Sequence, residues 1–143
     1  IGTLGIGARG PVLLVQRRAS LGGGQVKSAL KRSTDQEIRA LKALAQCRNV
    51  MQLEEHFHGD GPDEVWARLE CLEGGSLRGL MRDAKPLRLS EDVTRFVLRE
   101  VLCGLQDMHR QGWMHRDVKA ENIGVSDSLA SGVVKERCVV NLL

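Results

Sequence analysis

Long apolar runs are missing from this sequence, and none approaches the roughly 20 residues that a membrane-spanning helix needs. The first residues also lack the pattern of a secretory signal peptide. Large basic clusters are missing too, because the net charge is only +3 and the basic residues are scattered, apart from Arg17-Arg18. These absences predict a protein without a membrane span and without a surface for nucleic acid.

Cysteine is also scarce. The four cysteines, Cys47, Cys71, Cys103 and Cys138, are far apart and form no Cys-x-x-Cys motif. This spacing disfavours both a disulfide framework and a zinc site. We therefore expect reduced thiols in an intracellular, cytoplasmic protein.

The composition that is present is typical of a folded chain. Hydrophobic residues make up 42% of the sequence and charged residues 27%, which argues against disorder. The 143 residues correspond to one domain. Because the chain begins at Ile1 rather than Met, inside an apparent strand, we expect it to be a piece of a longer protein. The sequence gives no signal for an oligomeric state.

Apolar periodicity predicts strands with one helix first, and helices with short strands afterwards. Strands are predicted over 12–15, 26–32, 50–57, 65–72, 123–125 and 138–143, with another around Trp113-Met114. Helices are predicted over 34–46, over 77–82, and from an N-cap at Ser90 to a stop at Gly112. This order predicts an α+β fold with a small β-rich lobe, residues 1–72, and a helical lobe, residues 73–143.

One octapeptide carries the strongest chemical signal: His115-Arg116-Asp117-Val118-Lys119-Ala120-Glu121-Asn122. It resembles the catalytic loop of eukaryotic protein kinases, His-Arg-Asp-x-Lys-x-x-Asn. Phosphoryl transfer depends mainly on positioning and on charge neutralisation. One short loop can direct a carboxylate to the attacking hydroxyl, an ammonium to the moving phosphoryl group, and an amide oxygen to a metal. The alternative is a polar turn after an amphipathic helix.

A glycine-rich stretch, Gly5-Ile6-Gly7-Ala8-Arg9-Gly10-Pro11-Val12, matches the pattern Gly-x-Gly-x-x-Gly-x-Val. Glycines allow backbone N–H groups to approach phosphates closely. A dinucleotide-binding fold is the main competitor, but that fold needs a helix directly after the glycines. Pro11 and the apolar run 12–15 favour a second strand instead, as in the phosphate flap of a kinase.

Ala29-Leu30-Lys31 resembles the end of the kinase Val-Ala-x-Lys strand, with Ser28 in the place of the valine. Lys27 is a rival, but the alanine two positions earlier selects Lys31. Glu37 falls on the next predicted helix, where the family places the glutamate that pairs with this lysine. The competing interpretation is a capping box from Thr34 to Glu37, in which the glutamate satisfies backbone donors. We favour the ion pair.

The segment from Leu69 to Leu77 resembles the kinase hinge, in which a strand presents its backbone to adenine and two glycines then turn toward a helix. The resemblance places Leu69 at the gatekeeper position and Ser76 near the ribose. Cys71 and Leu72 would offer backbone hydrogen bonds to the base. The alternative is an ordinary strand–turn–helix corner.

Because these blocks occur in the kinase order over the whole chain, the sequence is identified as a member of the eukaryotic-type protein kinase family, with a two-lobed kinase-like fold. The resemblance implies transfer of the γ-phosphoryl group of ATP to a Ser or Thr hydroxyl of a protein substrate, with Mg²⁺. Asp117 would be the catalytic base, Lys119 would stabilise the transferring group, and Asn122 would hold Mg²⁺. Lys31 and Glu37 complete the implied catalytic set. The residues implied to bind the nucleotide are Gly5, Gly7, Gly10, Val12, Ala29, Lys31, Leu69, Glu70, Leu72, Ser76 and Asn122.

Two features depart from the family pattern. The family continues with Asp-Phe-Gly after a short strand, whereas this chain stops at Leu143, so we expect the polypeptide alone to be inactive and poorly stable. Gly124 stands where a large apolar residue usually forms the floor of the adenine pocket, which predicts weak nucleotide affinity. Residues 126–136 form a polar insertion that is longer than usual.

Three alternatives to a protein kinase follow from these departures and from the glycine pattern. A non-catalytic kinase-like scaffold or regulatory protein is favoured by Gly124 and by the missing metal ligand. It is opposed by four intact residues, Lys31, Glu37, Asp117 and Asn122. A small-molecule kinase of similar fold is opposed by Arg116, because such enzymes more often have glycine there. A dinucleotide-dependent oxidoreductase is the least favoured.

A modification site is also predicted. Arg17-Arg18-Ala19-Ser20-Leu21 matches the Arg-Arg-x-Ser-apolar pattern preferred by basophilic kinases, which makes Ser20 a candidate phosphorylation site. The alternative is a solvated basic turn.

Overall fold

The computed structural model describes residues 2–7, 9–18, 25–61, 64–83, 89–125 and 138–140. The chain divides into two compact units, one formed by residues 1–42 and 52–71 and the other by residues 43–51 and 72–143. The strands are β1 (Gly2–Gly7), β2 (Gly10–Arg18), β3 (Gln25–Ser33), β4 (Leu53–His58), β5 (Val65–Glu70), β6 (Ile123–Val125) and β7 (Cys138–Val140). The helices are α1 (Asp35–Ala43), α2 (Leu77–Asp83) and α3 (Glu91–Arg110). These elements confirm the predicted α+β fold class.

The first unit is built on a five-stranded antiparallel sheet with the strand order β1-β2-β3-β5-β4. Side chains alternate between the two faces of a strand, so Val65, Ala67 and Leu69 of β5 are buried while the residues between them are half-buried. One of those half-buried residues is Trp66. The adjoining helix α1 contributes further buried apolar side chains, among them Leu41.

The glycine-rich stretch forms the hairpin between β1 and β2, with Gly7 opposite Gly10. Gly10 has a φ angle of +115°, a conformation that residues with a side chain rarely adopt. The chain continues from Gly10 as the strand β2, which confirms the predicted second strand. A helix at this place, as a dinucleotide-binding fold requires, is therefore ruled out.

In the second unit, α3 begins and ends at the residues that the sequence indicates. Ser90 is the N-cap, and its Oγ accepts the backbone N–H of Val93 at 3.3 Å. At the other end Gly112 has a φ angle of +77°, and Trp113 donates its backbone N–H to the carbonyl of Met108 at 2.9 Å. This bond and the left-handed glycine are the features of a Schellman helix end.

The same hydrogen bond explains why one predicted strand is wrong. Residues Trp113 and Met114 lie in no strand. The N–H group of Trp113 closes the end of α3, so it is not available for a strand partner. Met114 is 64% exposed, which is unlike a residue of a short buried strand.

Two apolar clusters hold the second unit together. One joins α2, α3 and β6 and consists of Leu77, Val97, Val101, Ile123 and Val125. The other consists of Leu44, Cys47, Val50 and Met108, with Trp113 partly buried against it. The second cluster packs the segment after α1 onto the end of α3. The predicted insertion at 126–136 and the predicted strand residues 141–143 lie outside the described residues.

Candidate active site

The octapeptide lies in the second unit, between the end of α3 and the start of β6. His115 is buried, and its Nδ1 accepts the backbone N–H of Asp117 at 3.2 Å. Arg116 between them has a φ angle of +64°, in the left-handed region, which costs a non-glycine residue about 1–2 kcal/mol. The buried histidine thus fixes a sharp local turn, and Asp117 follows it at the surface.

The Asp117 carboxylate is held by two side chains from the same loop. Asn122 donates from Nδ2 to Oδ2 of Asp117 at 2.9 Å and to the Asp117 carbonyl at 2.8 Å. Lys119 places its Nζ 2.7 Å from the same Oδ2. Because the Asn122 side chain is buried, its two bonds fix the orientation of the carboxylate relative to the loop backbone.

Lys119 and Asp117 also shift each other's pKa, and each shift favours the charged form. The hydrogen bond from the Lys119 ammonium holds the pKa of Asp117 below its usual range, and the bond from Asn122 adds to this effect. In the opposite direction, the hydrogen bond to the Asp117 carboxylate raises the pKa of Lys119. Both groups are therefore charged at neutral pH, and the loop presents a carboxylate and an ammonium side by side.

Local structure explains why the loop has this shape. A 3₁₀ turn over Ala120–Asn122 is closed by the backbone N–H of Asn122, which donates to the Lys119 carbonyl at 2.9 Å. The chain then enters β6, where Ile123 and Val125 are buried in the apolar cluster. Asn122 is therefore anchored from both sides, by the turn before it and by the strand after it.

The first unit contains the predicted ion pair. Lys31 on β3 places Nζ 2.5 Å from Oε1 of Glu37 on α1. The second carboxylate oxygen, Oε2, accepts a hydrogen bond from Ser33 Oγ at 2.8 Å. The Lys31 side chain is 12% exposed and that of Glu37 is 7% exposed, so the pair is shielded from solvent. The structure selects Lys31 over its rival Lys27 as the partner of Glu37.

The two interpretations of Glu37 prove compatible. Its backbone N–H donates to Thr34 Oγ1 at 3.2 Å, which is the N-cap half of a capping box. Its carboxylate is bound instead by Lys31 and Ser33. The helix is thus capped by Thr34, while the glutamate side chain remains in the ion pair that the sequence predicts.

The other residues implied to bind a nucleotide occupy the expected elements. Gly5 and Gly7 lie on β1, Gly10 and Val12 on β2, and Ala29 on β3. Leu69 and Glu70 end β5, and Leu69 is buried.

The predicted hinge is followed by a turn and a helix. The Leu72 carbonyl accepts the N–H of Gly75 at 3.1 Å, and Gly75 has a φ angle of +71°. Ser76 Oγ accepts the backbone N–H of Gly79 at 3.1 Å and so caps α2. The Ser76 hydroxyl therefore caps α2, and this hydrogen bond competes with the predicted contact to a ribose.

Sequence reasoning missed Ser33 as a member of this site. It stands two residues after Lys31 on the same strand, and side chains at i and i+2 lie on one face of a strand. That spacing, together with Glu37 four positions later, is the signal that could have indicated it.

Comparisons with known proteins identify the family. A sequence model of the protein kinase domain family matches residues 1–135. Human myosin-IIIa is 36% identical over 135 residues, which cover 85% of this chain and 8% of that protein. The serine/threonine-protein kinase sid1 of Schizosaccharomyces pombe is 45% identical over 64 residues, which cover 45% of this chain and 13% of that kinase. The serine/threonine-protein kinase mig-15 of Caenorhabditis elegans is 32% identical over 98 residues, which cover 64% of this chain and 9% of that kinase.

The chain therefore belongs to the protein kinase domain family. It spans a small part of these relatives, between 8% and 13% of their lengths. In the described part of the chain, no helix is long and apolar enough to cross a membrane. Among the same residues, no group of three or more His, Cys, Asp or Glu side chains could hold a metal ion.

Proposed function

We propose that this chain is part of a protein serine/threonine kinase that transfers the γ-phosphoryl group of ATP to Ser or Thr hydroxyls of proteins. The observation that carries the proposal is the arrangement of Asp117, Lys119 and Asn122 on one loop, with both charges in place at neutral pH. The printed names of relatives such as sid1 and mig-15 support the same activity. An intracellular, cytoplasmic location belongs to this proposal, because the reaction requires ATP.

Asp117 is the group that orients the substrate hydroxyl and accepts its proton. Lys119 and Asn122 both bind its Oδ2, and no described residue donates a hydrogen bond to its Oδ1. Oδ1 is therefore the oxygen that can accept a hydrogen bond from a Ser or Thr hydroxyl. A positioned base of this kind contributes about 100- to 10,000-fold to the rate.

Lys119 serves the other reactant. Its ammonium carries a positive charge beside the carboxylate, and its side chain is 48% exposed, so a phosphoryl group can reach it. A cation at this place offsets the negative charge of the group in transfer. In the first unit, Lys31 has the same sign of charge and is held by Glu37, which suits binding of the ATP phosphates. The glycines of the β1–β2 hairpin would cover those phosphates with backbone N–H groups.

Asn122 is the described residue that fits a Mg²⁺ ion. Its Nδ2 is occupied by two bonds to Asp117, which leaves the amide oxygen as the group that can bind a cation. Mg²⁺ prefers oxygen ligands and commonly keeps several waters, so one protein oxygen together with phosphate oxygens is a suitable donor set. The ion would neutralise charge on the phosphates of ATP.

A phosphotransfer assay tests the proposal. The chain, and any longer translation product that contains it, would be incubated with radiolabelled ATP, Mg²⁺ and a library of Ser/Thr peptides. Asp117→Asn should reduce transfer by at least about 100-fold, as loss of a positioned base does. The matched control is Asp83→Asn, since Asp83 is an exposed carboxylate of α2 that, among the described residues, pairs with its neighbour Arg82. Unchanged transfer in Asp117→Asn would refute the role of Asp117.

A non-catalytic kinase-like scaffold is the second candidate, and Gly124 favours it. This residue of β6 is buried and has no side chain to support a bound base. In that case a longer translation product that contains this chain would also show no phosphoryl transfer above the background of its Asp117→Asn variant. Calorimetry with MgATP would then also show weak or no binding, as Gly124 predicts.

A further inference from the structure

Ser33 is the last residue of β3 and is buried, with 4% of its surface exposed. Its hydroxyl donates to Oε2 of Glu37 at 2.8 Å, while Lys31 binds Oε1 of the same carboxylate at 2.5 Å. Lys31 and Ser33 are two positions apart, so both project from one face of the strand. One strand therefore binds both oxygens of the glutamate.

A carboxylate bound at one oxygen can still rotate about its last side-chain bond. A second donor at the other oxygen fixes the plane of the group, because both bonds are then broken by rotation. A hydroxyl suits this place, since it donates one hydrogen bond without adding a charge. Ser33 thus fixes an orientation of Glu37 that the ion pair with Lys31 alone leaves open.

The backbone around Ser33 strengthens this restraint. Thr34 follows directly and caps α1, with its Oγ1 accepting the N–H of Glu37 and its carbonyl accepting the N–H of Ile38 at 2.9 Å. No loop separates the strand from the helix, and only four positions separate Ser33 from Glu37. The first turn of α1 is therefore tied to the end of β3 by both main-chain and side-chain bonds.

We propose that Ser33 is a positioning residue, which holds the Glu37 carboxylate against Lys31. The consequence for catalysis rests on the proposed kinase function, because only then does the Lys31 ammonium bind phosphates. The positioning itself is a property of the first unit and can be measured without any activity.

The test compares Ser33→Thr with Ser33→Val in the full chain, since threonine and valine have nearly the same shape and only threonine keeps a hydroxyl. Hydrogen exchange would be measured at the amides of Glu37 and Ile38. Exchange in the valine variant should be faster than in the threonine variant by on the order of tenfold. This is the ratio that corresponds to the free energy typically lost with one buried hydrogen bond. Equal exchange in the two variants would overturn the proposal, because packing alone would affect them equally.

Ser33→Ala provides a second comparison that adds no volume to this buried position. It should exchange at these amides like the valine variant, and wild-type protection in Ser33→Ala would also overturn the proposal. The amides of α3 serve as the internal control for folding, since α3 belongs to the second unit.

Phosphoryl transfer by the same substitutions in a longer translation product that contains the chain separates this proposal from the proposed function. If both hold, kcat/KM for ATP in the valine variant should fall relative to the threonine variant, while the KM for the peptide stays unchanged. If the kinase function fails, no variant transfers phosphate, yet the exchange difference at α1 remains and still supports the positioning role of Ser33.

Discussion

Asn49 donates from Nδ2 to Oε2 of Glu100 at 2.9 Å, and both residues are buried, at 5% and 8% exposure. The bond links the segment 43–51, which follows α1, to the middle of α3 across 51 positions of sequence. The other oxygen of Glu100 lies 3.3 Å from Nη2 of Arg99. A buried carboxylate on an amphipathic helix is thus satisfied by one amide and one guanidinium.

We expect Asn49→Ala to lower the free energy of unfolding by about 1–3 kcal/mol, because it leaves a buried carboxylate oxygen without its donor. Urea unfolding of the full chain measures this change. Gln46→Ala, at an exposed position of the same segment, is the matched control and should change stability by less than about 0.5 kcal/mol. Equal stabilities of Asn49→Ala and Gln46→Ala would show that the Asn49–Glu100 bond contributes nothing.

Lys119→Met should raise the pKa of Asp117 toward its ordinary value, because the hydrogen bond from Lys119 is the main cause of the lowered pKa. Carbon-13 NMR titration of the aspartate carboxyl groups measures this without any enzymatic activity. The control is Lys42→Met, since Lys42 contacts His56 in the first unit and should leave the Asp117 titration unchanged. A titration that is the same in Lys119→Met and in wild type would contradict the ion pair.

The sign of the accompanying stability change follows from linkage. A carboxylate whose pKa is lower in the folded chain than in the unfolded chain stabilises the folded chain when the pH is above the unfolded-state pKa of about 3.9. This stabilisation is lost as the pH falls through the folded-state pKa. The Asp117 contribution should therefore be complete at neutral pH and decline as the pH falls below about 3.9. Since Asp117 is exposed, we expect the effect on stability to be small.

Gly112→Ala should destabilise the chain by about 1–2 kcal/mol, the cost of a side chain in the left-handed region. A methyl group at Gly112 would meet no other atom within 4 Å, so the cost comes from the backbone and not from a clash. Gly79→Ala is the matched control, because Gly79 lies inside α2 and alanine favours a helix. Thermal unfolding should show a lower midpoint for Gly112→Ala and an unchanged or higher one for Gly79→Ala.

Ser20 should be phosphorylated by a basophilic kinase, because two arginines precede it at the positions that such kinases prefer. Ser20 lies outside the described residues, so this prediction depends on the sequence alone. Phosphopeptide mass spectrometry of the chain after treatment with such a kinase measures it, with Arg17→Gln/Arg18→Gln as the control. Complete coverage of the peptide with only unmodified Ser20 would contradict the prediction.

Local signals predicted the ends of α3 well. Ser90 and Gly112 act through bonds to residues only a few positions away, so a short stretch of sequence contains all the information. The prediction of a strand around Trp113-Met114 was wrong because the identity of these two residues does not indicate that the Trp113 N–H is bonded at the end of α3. The Lys31–Glu37 pair was predicted from the family resemblance, since its two residues lie on different elements.

Pairs of side chains that meet through the tertiary fold had no comparable signal. Asn49 and Glu100 are ordinary polar residues in the sequence, and nothing in their local patterns indicates that they meet. Ser33 differs from them, because its spacing from Lys31 and Glu37 is a local signal that could have indicated the bond. The positions of such bonds depend on how helices and strands pack, which periodicity does not specify.

The division into two units gives the chain a pair of separate optical reporters. Its only tryptophans are Trp66 on β5 of the first unit and Trp113 beside α3 in the second. Because the sequence contains no tyrosine, ultraviolet-excited emission arises almost entirely from these two indoles. Replacing either one by phenylalanine would leave a fluorophore that follows the unfolding of a single unit, so the two melting curves could be recorded independently.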